Sequence, residues 1–131
     1  MFLKFLEKLG KNELPVVIGA ASTLELLRNP VGTKGQADPC HVVEARLDLL
    51  GIDPFSAEFE DAVANCSLPI LFTARHPAEG GAGDLDSKTR EKMLRHHLPA
   101  AWGIDIELRS LPEMAGLADE AAHLNLAPGR V

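Results

Sequence analysis

Residues 41–51 read HVVEARLDLLG, and this stretch decides the fold. It is a short run rich in Val and Leu, the pattern of a buried strand. Yet Glu44, Arg46 and Asp48 put a charge at every second position. Residues two apart in a strand share a face. One face therefore carries an acid, a base and an acid, while the other carries Val43, Ala45, Leu47 and Leu49.

Three further runs flank it: PVVIGAAS (15–22), PILFTARH (69–76) and IDIELRSL (104–111). The last two repeat the alternation. Thr73 and Arg75 alternate with Phe72 and Ala74, and Asp105, Glu107 and Arg109 alternate with Ile104, Ile106 and Leu108. Between the runs lie helical segments. Residues 23–28 predict a short helix, followed by a Gly/Pro-punctuated loop. Residues 56–65 predict a second, with Ser56 as N-cap and Glu58 and Glu60 near the positive end of its dipole. Residues 87–97 carry Met93 and Leu94, with Leu98 just beyond, at helical spacing, and 117–126 predict a fourth helix closed by the breaker run APGR. Strand and helix thus alternate four times, which implies an α/β fold with a parallel sheet and crossover helices.

Parallel sheets are covered on both faces, and their strands are usually near-continuous hydrophobic runs. Here the apolar set must face the helix layer, so the polar set gathers on the other side across neighbouring strands. In an open three-layer sheet that side would also be covered, and burying so many charges is costly. In a (β/α)8 barrel it points inward and lines a pocket near the C-terminal mouth, where such enzymes keep their active sites. The competing explanation is an ion-pair network that only holds the strands in register. Solvated charges on an edge strand would explain one strand but not three.

The 131 residues are one domain in length, large enough for a real core. The formal net charge of -6 and the few aromatics leave no basic footprint for nucleic acid. Cys40 and Cys66 fit no metal spacing and read as small buried hydrophobes. The N-terminus MFLKFLEKLGKNE is too short and too charged for a membrane span or a secretory segment. It reads as a short amphipathic helix with Phe2, Leu3, Phe5, Leu6 and Leu9 on one side. A cytoplasmic protein with reduced thiols is expected.

After the third run comes HPAEGGAGDLD, which lacks both the G-x-G-x-x-G pattern and the Walker Lys-Ser/Thr pair. It reads as a mobile loop carrying Glu79 over the strand ends rather than as a phosphate cradle. EARLD (44–48), LFTARHPAEGG (71–81) and DIEL (105–108), on consecutive strands, together resemble type I 3-dehydroquinate dehydratase of the shikimate pathway. The resemblance covers about residues 15–131. It implies strands one to four of a TIM barrel, a single half-barrel domain over residues 1–131.

The resemblance also implies roles. Glu44, Arg46 and Arg75 would bind the hydroxyls of a 3-dehydroquinate-like substrate. Ser22 would stand in for a small polar residue of the first strand. Asp48, Thr73, Asp105 and Glu107 would support the polar interior, and Glu79 would be an accessory near the reacting centre. The family reaction uses an imine-forming lysine on strand six and a proton-transferring histidine on strand five, with no metal and no cofactor. The sequence reaches Val131 with no fifth strand, so neither residue of that pair is identified in it. No lysine falls on a predicted strand. His41 opens a strand at the wrong end, and His96, His97 and His123 fall where solvated histidines are common. His76 is the best-placed substitute, against a plain surface-loop reading.

Three functions remain open from the sequence. The chain is the substrate-binding half of a dehydratase, or a non-catalytic half-barrel that binds a polyhydroxylated carboxylate, or a scaffold whose charges fix strand register. An unclosed half-barrel exposes two strand edges, so a homodimer closing it is expected.

Overall fold

The structure is a computed structural model that describes residues 16–30 and 40–124. The predicted N-terminal helix, Pro15, most of the loop before the second strand, and LAPGRV lie outside the described residues. Four parallel strands form one sheet in the order β1-β2-β3-β4: β1 Ile18–Ala21, β2 Val42–Arg46, β3 Ile70–Thr73 and β4 Gly103–Asp105. Between and after them run α1 Leu24–Arg28, α2 Ala57–Ala64, α3 Ser87–His97 and α4 Leu111–His123. Adjacent strands in sequence are neighbours in space, as right-handed βα units require in a barrel.

Local chemistry sets the helix starts. Thr23 Oγ1 accepts from the Leu26 amide, Ser56 Oγ from the Phe59 amide and Asp86 Oδ1 from the Thr89 amide. Each satisfies one of the amides a helix leaves free at its N-terminus. α4 starts earlier than the apolar spacing predicts, at Leu111 rather than 117. Pro112 explains the difference, since proline fits the first turn of a helix. A departure from helical geometry at Met114 marks the break between this opening turn and the predicted periodic segment.

The strands end sooner than their alternation suggests. β2 stops at Arg46, and residues 47–49 form a turn, which leaves Leu49 exposed. β4 stops at Asp105; Glu107 then caps a 3-10 turn, Leu108–Ser110, so Arg109 and Leu108 point to solvent instead of continuing the strand. The apolar alternation otherwise holds. Val43, Ala45, Phe72, Ala74 and Ile104 are buried against Leu27, Phe59, Leu94, Leu98 and Leu117 of the helix layer.

His97 departs from the expected solvated state because it completes this core. Its ring stacks on Phe72 at 5.0 Å and meets Phe59 edge-on at 5.0 Å. Nε2 lies 2.7 Å from the Pro54 carbonyl oxygen, so the neutral ring donates there. Cys40 is buried and Cys66 half-buried, both as free thiols. Among the described residues no helix is long and apolar enough to cross a membrane.

Burial holds the His97 pKa below the ordinary 6.5, with His96 adding to the effect; the Pro54 carbonyl and Glu60 oppose it. The unfolded chain thus binds a proton that the fold resists. Stability is complete above pH 6.5 and drains as the pH falls from there toward the folded pKa. Urea unfolding at pH 7.5 and 5.5 should show a loss of at most about 1.4 kcal/mol per pH unit from this proton. His97→Phe should flatten that slope.

Candidate active site

The strand pairings build the polar face row by row. Ala20, Glu44, Leu71 and Gly103 are partners in one row, and Arg46, Thr73 and Asp105 in the next. In parallel pairing such partners share a face. One step further, past the strand ends, Asp48, Arg75 and Glu107 form a third row held by side-chain and backbone bonds. The alternating charges of three sequence segments therefore converge at the C-terminal end of the sheet.

Asp48 anchors one side of this row. Arg46 grips it as a fork, Nε donating to Oδ1 at 3.0 Å and an Nη to Oδ2 at 2.8 Å. The same carboxylate accepts from the Arg75 amide at 3.3 Å and the Ala82 amide at 3.0 Å. Burial pushes its pKa up, but Arg46 and the two amides outweigh that and hold it below the usual carboxylate range. Arg46 is raised by the bond to Asp48, against the cost of its own burial.

Glu107 anchors the other side. Its Oε1 accepts from the His76 amide at 2.7 Å, and its Oε2 accepts from Arg90 at 3.2 Å and from Ser110 Oγ at 3.4 Å. Burial again raises the carboxyl and is outweighed, first by backbone amides, then by Arg90 and Arg75. Arg75 sits between the anchors. It donates to Asp105 Oδ2 at 2.8 Å and lies 3.7 Å from both Glu44 Oε1 and Glu107 Oε1.

The glycine-rich loop is tied down where free motion was expected. The Gly81 amide donates to the His76 carbonyl at 3.1 Å, and Ala82 is fastened to Asp48. A Cβ on Gly81 would stand 2.2 Å from the Arg75 carbonyl oxygen, so only glycine fits this approach. Glu79 ends the 3-10 turn Pro77–Glu79 and points at Arg109, 4.0 Å away, rather than at Arg75. His76 Nδ1 accepts from the Ala78 amide and caps that turn. Ser22 follows β1 directly and is exposed. Thr73 Oγ1 is buried with no hydrogen-bond partner among the described residues.

Arg90 and Ser110 belong to this cluster although neither lies on a strand. Arg90 shares its helix face with Met93, Leu94 and His97, so a charge on the apolar face of α3 was the available clue. A groove of about 310 Å³ lies at the opposite end of the strands, lined by Val63, Leu68, Pro99 and Trp102. None of the polar rows reaches it.

Residues 18–125 match the family model described as type I 3-dehydroquinase. Among solved structures, the chain is similar to the type I 3-dehydroquinate dehydratase from Clostridium difficile, crystallised with covalently modified comenic acid. The TM-score is 0.63 at 16% sequence identity, over 86% of this chain and 48% of that one. The chain thus spans about half the length of that structure, and the likeness shows a shared TIM-barrel architecture. No curated protein sequence matches it.

Asp48→Ala should cost about 3 kcal/mol in urea unfolding, since it strips a partner from Arg46 and an acceptor from two amides. The loop at 79–85 should then become sensitive to limited proteolysis. Asp48 and Glu107 stabilise the fold above their ordinary values of 3.8 and 4.5, and that contribution is lost as pH falls through their lower folded values. The variant's acid limb should be correspondingly shallower. From its matched sequence and its half-barrel sheet, the chain belongs to the type I 3-dehydroquinase family.

Proposed function

We propose that the polar face of the sheet is the strand-one-to-four half of a site that binds 3-dehydroquinate for dehydration to 3-dehydroshikimate. The observation that carries this reading is Arg75, about a quarter exposed to solvent and held among Glu44, Asp105 and Glu107. Carboxylates and guanidiniums placed side by side on an open face can accept from and donate to successive hydroxyls of a polyhydroxylated ring. Glu44, Arg46 and Arg75 take that role, Asp48, Thr73, Asp105 and Glu107 shape the interior, and Glu79 and Ser22 stand at its rim.

The dehydration requires an electron sink and a base. In the family as the resemblance describes it, a lysine amine condenses with the substrate ketone, releasing water and giving an imine. A histidine removes the adjacent proton; the electron pair is delocalised into the imine, then expels the hydroxyl as that histidine returns the proton. Hydrolysis frees the amine. Among the described residues the lysines are Lys88 and Lys92, both exposed on α3. On this reading the present face binds and orients, and the lysine and histidine belong to the complementary half of the barrel. No metal or cofactor enters the scheme, and the free thiols fit a cytoplasmic protein.

Titration calorimetry with 3-dehydroquinate should give measurable binding, weakened about tenfold or more by Arg75→Gln. Borohydride treatment of the mixture should leave the chain's mass unchanged. A folded chain that shows no binding sinks the substrate reading and favours the scaffold. A covalent adduct would instead place an imine lysine within this chain.

In the alternative reading, a non-catalytic half-barrel that binds a polyhydroxylated carboxylate, a second copy of the chain is the closing element. β1 and β4 each have one hydrogen-bonded neighbour among the described strands, and Val17 and Ile18 are exposed beside the β1 edge. Such edges pair readily. Light scattering after size exclusion should give twice the 14.1 kDa chain mass; a monodisperse monomer refutes the dimer.

A further inference from the structure

Arg90 is the largest side chain in the fully buried set and reaches the strand ends from the helix layer. One Nη donates to Glu107 Oε2 at 3.2 Å; the other donates to Ser110 Oγ at 3.2 Å and, weakly, to Ser87 Oγ at 3.4 Å. Ser110 Oγ in turn donates to Glu107 Oε2 at 3.4 Å. The Glu107 carboxylate is thereby clamped from behind by a cation and a hydroxyl. In front, it caps the His76 amide and lies 3.7 Å from Arg75 Nη1.

We propose that Arg90 is a positioning residue for Arg75, acting through Glu107. The inference rests on the reading of the polar face as a substrate site, and it adds a residue outside the sheet to that site. Without Arg90, Glu107 is a buried carboxylate whose nearest cation is Arg75. Attraction in a poorly solvated setting is strong enough to draw that guanidinium inward. The 2.8 Å contact with Asp105 and the proximity to Glu44 would be given up. With Arg90 present, Glu107 is already neutralised, and Arg75 stays in the outer row. A cation fixed on α3 thus sets the outward reach of a cation on β3. A purely structural Arg90 would tie α3 to the Leu108–Ser110 turn and leave the Arg75 side chain where it is.

Two measurements on Arg90→Met decide between these roles. The first is the 15N resonance of the Arg75 side chain together with the 13C titration of the Glu107 carboxyl. The second is the Kd for 3-dehydroquinate by calorimetry. The positioning role predicts a shifted Arg75 resonance, a Glu107 titration moved upward, and binding weakened about tenfold or more. Ser87→Ala should change none of these. A folded Arg90→Met protein with an unshifted Arg75 resonance overturns the proposal, whatever its stability.

Should Arg90→Met fail to fold, Arg90→Gln is read in its place, since it removes the cation but keeps polar atoms toward Glu107 and Ser110. Arg90→Lys keeps a cation beside Glu107, so there Arg75 should stay in the outer row. An unmoved Arg75 in Arg90→Gln refutes the proposal. If wild-type protein does not bind 3-dehydroquinate but the resonance still moves, the substrate reading fails and the positioning of Arg75 stands. If wild type binds and the resonance is unmoved, the positioning role alone fails.

Discussion

The Asp48 carboxylate is where the end of β2, the end of β3 and the glycine-rich loop are joined. Its side chain is fully excluded from solvent, and it accepts from one guanidinium and two backbone amides. A carboxylate in that position is tolerable only when such partners are in place, since desolvating an unpaired charge costs several kcal/mol. The constraint works in both directions. Asp48 needs Arg46 and the loop amides, and the loop takes its path because Asp48 accepts from Ala82. Gly81 belongs to the same requirement, because its close approach to the Arg75 carbonyl brings the following amide to Asp48.

Helix packing explains why the opposite face is so different. Val43, Ala45, Phe72 and Ile104 lie against the helices and contribute through apolar area removed from water. The inner rows contribute little of that kind. A buried ion pair is often no more stabilising than apolar side chains of the same volume. Strand register alone would be served as well by Val and Leu. On the proposed reading the inner rows are a surface kept polar for a ligand, with the deepest charges there to hold the shallower ones.

Much of this was legible in the sequence because period-two alternation is a direct record of which face a residue takes. Glu44, Arg46, Thr73 and Asp105 fall where that pattern places them, and Ser56 announces the helix it caps. The pattern says nothing about where a strand stops. Arg109 and Leu108 keep the alternation of IDIELRSL but sit on a 3-10 turn, because Glu107 leaves the sheet to accept from the His76 amide and Arg90. Arg90 and His97 were obscured for a related reason. On a helix both look like surface residues until the strands they meet are known, and only their shared face with Met93 and Leu94 hints otherwise.

The depth of each charge separates support from contact. Side-chain exposure is 0% at Asp48 and 3% at Glu107, then rises to 24% at Arg75 and 36% at Asp105. The two deepest carboxylates spend their oxygens on amides, Arg46, Arg90 and Ser110, which leaves little capacity for a ligand. Arg75 and Asp105 pair mainly with each other, in a place water reaches. Exchanging that one contact for bonds to a hydroxylated ring would cost little, because a solvated pair contributes at most about 1 kcal/mol. On the proposed reading, binding on this face amounts to opening the Arg75–Asp105 pair, while Asp48 and Glu107 keep both backbones fixed as it opens.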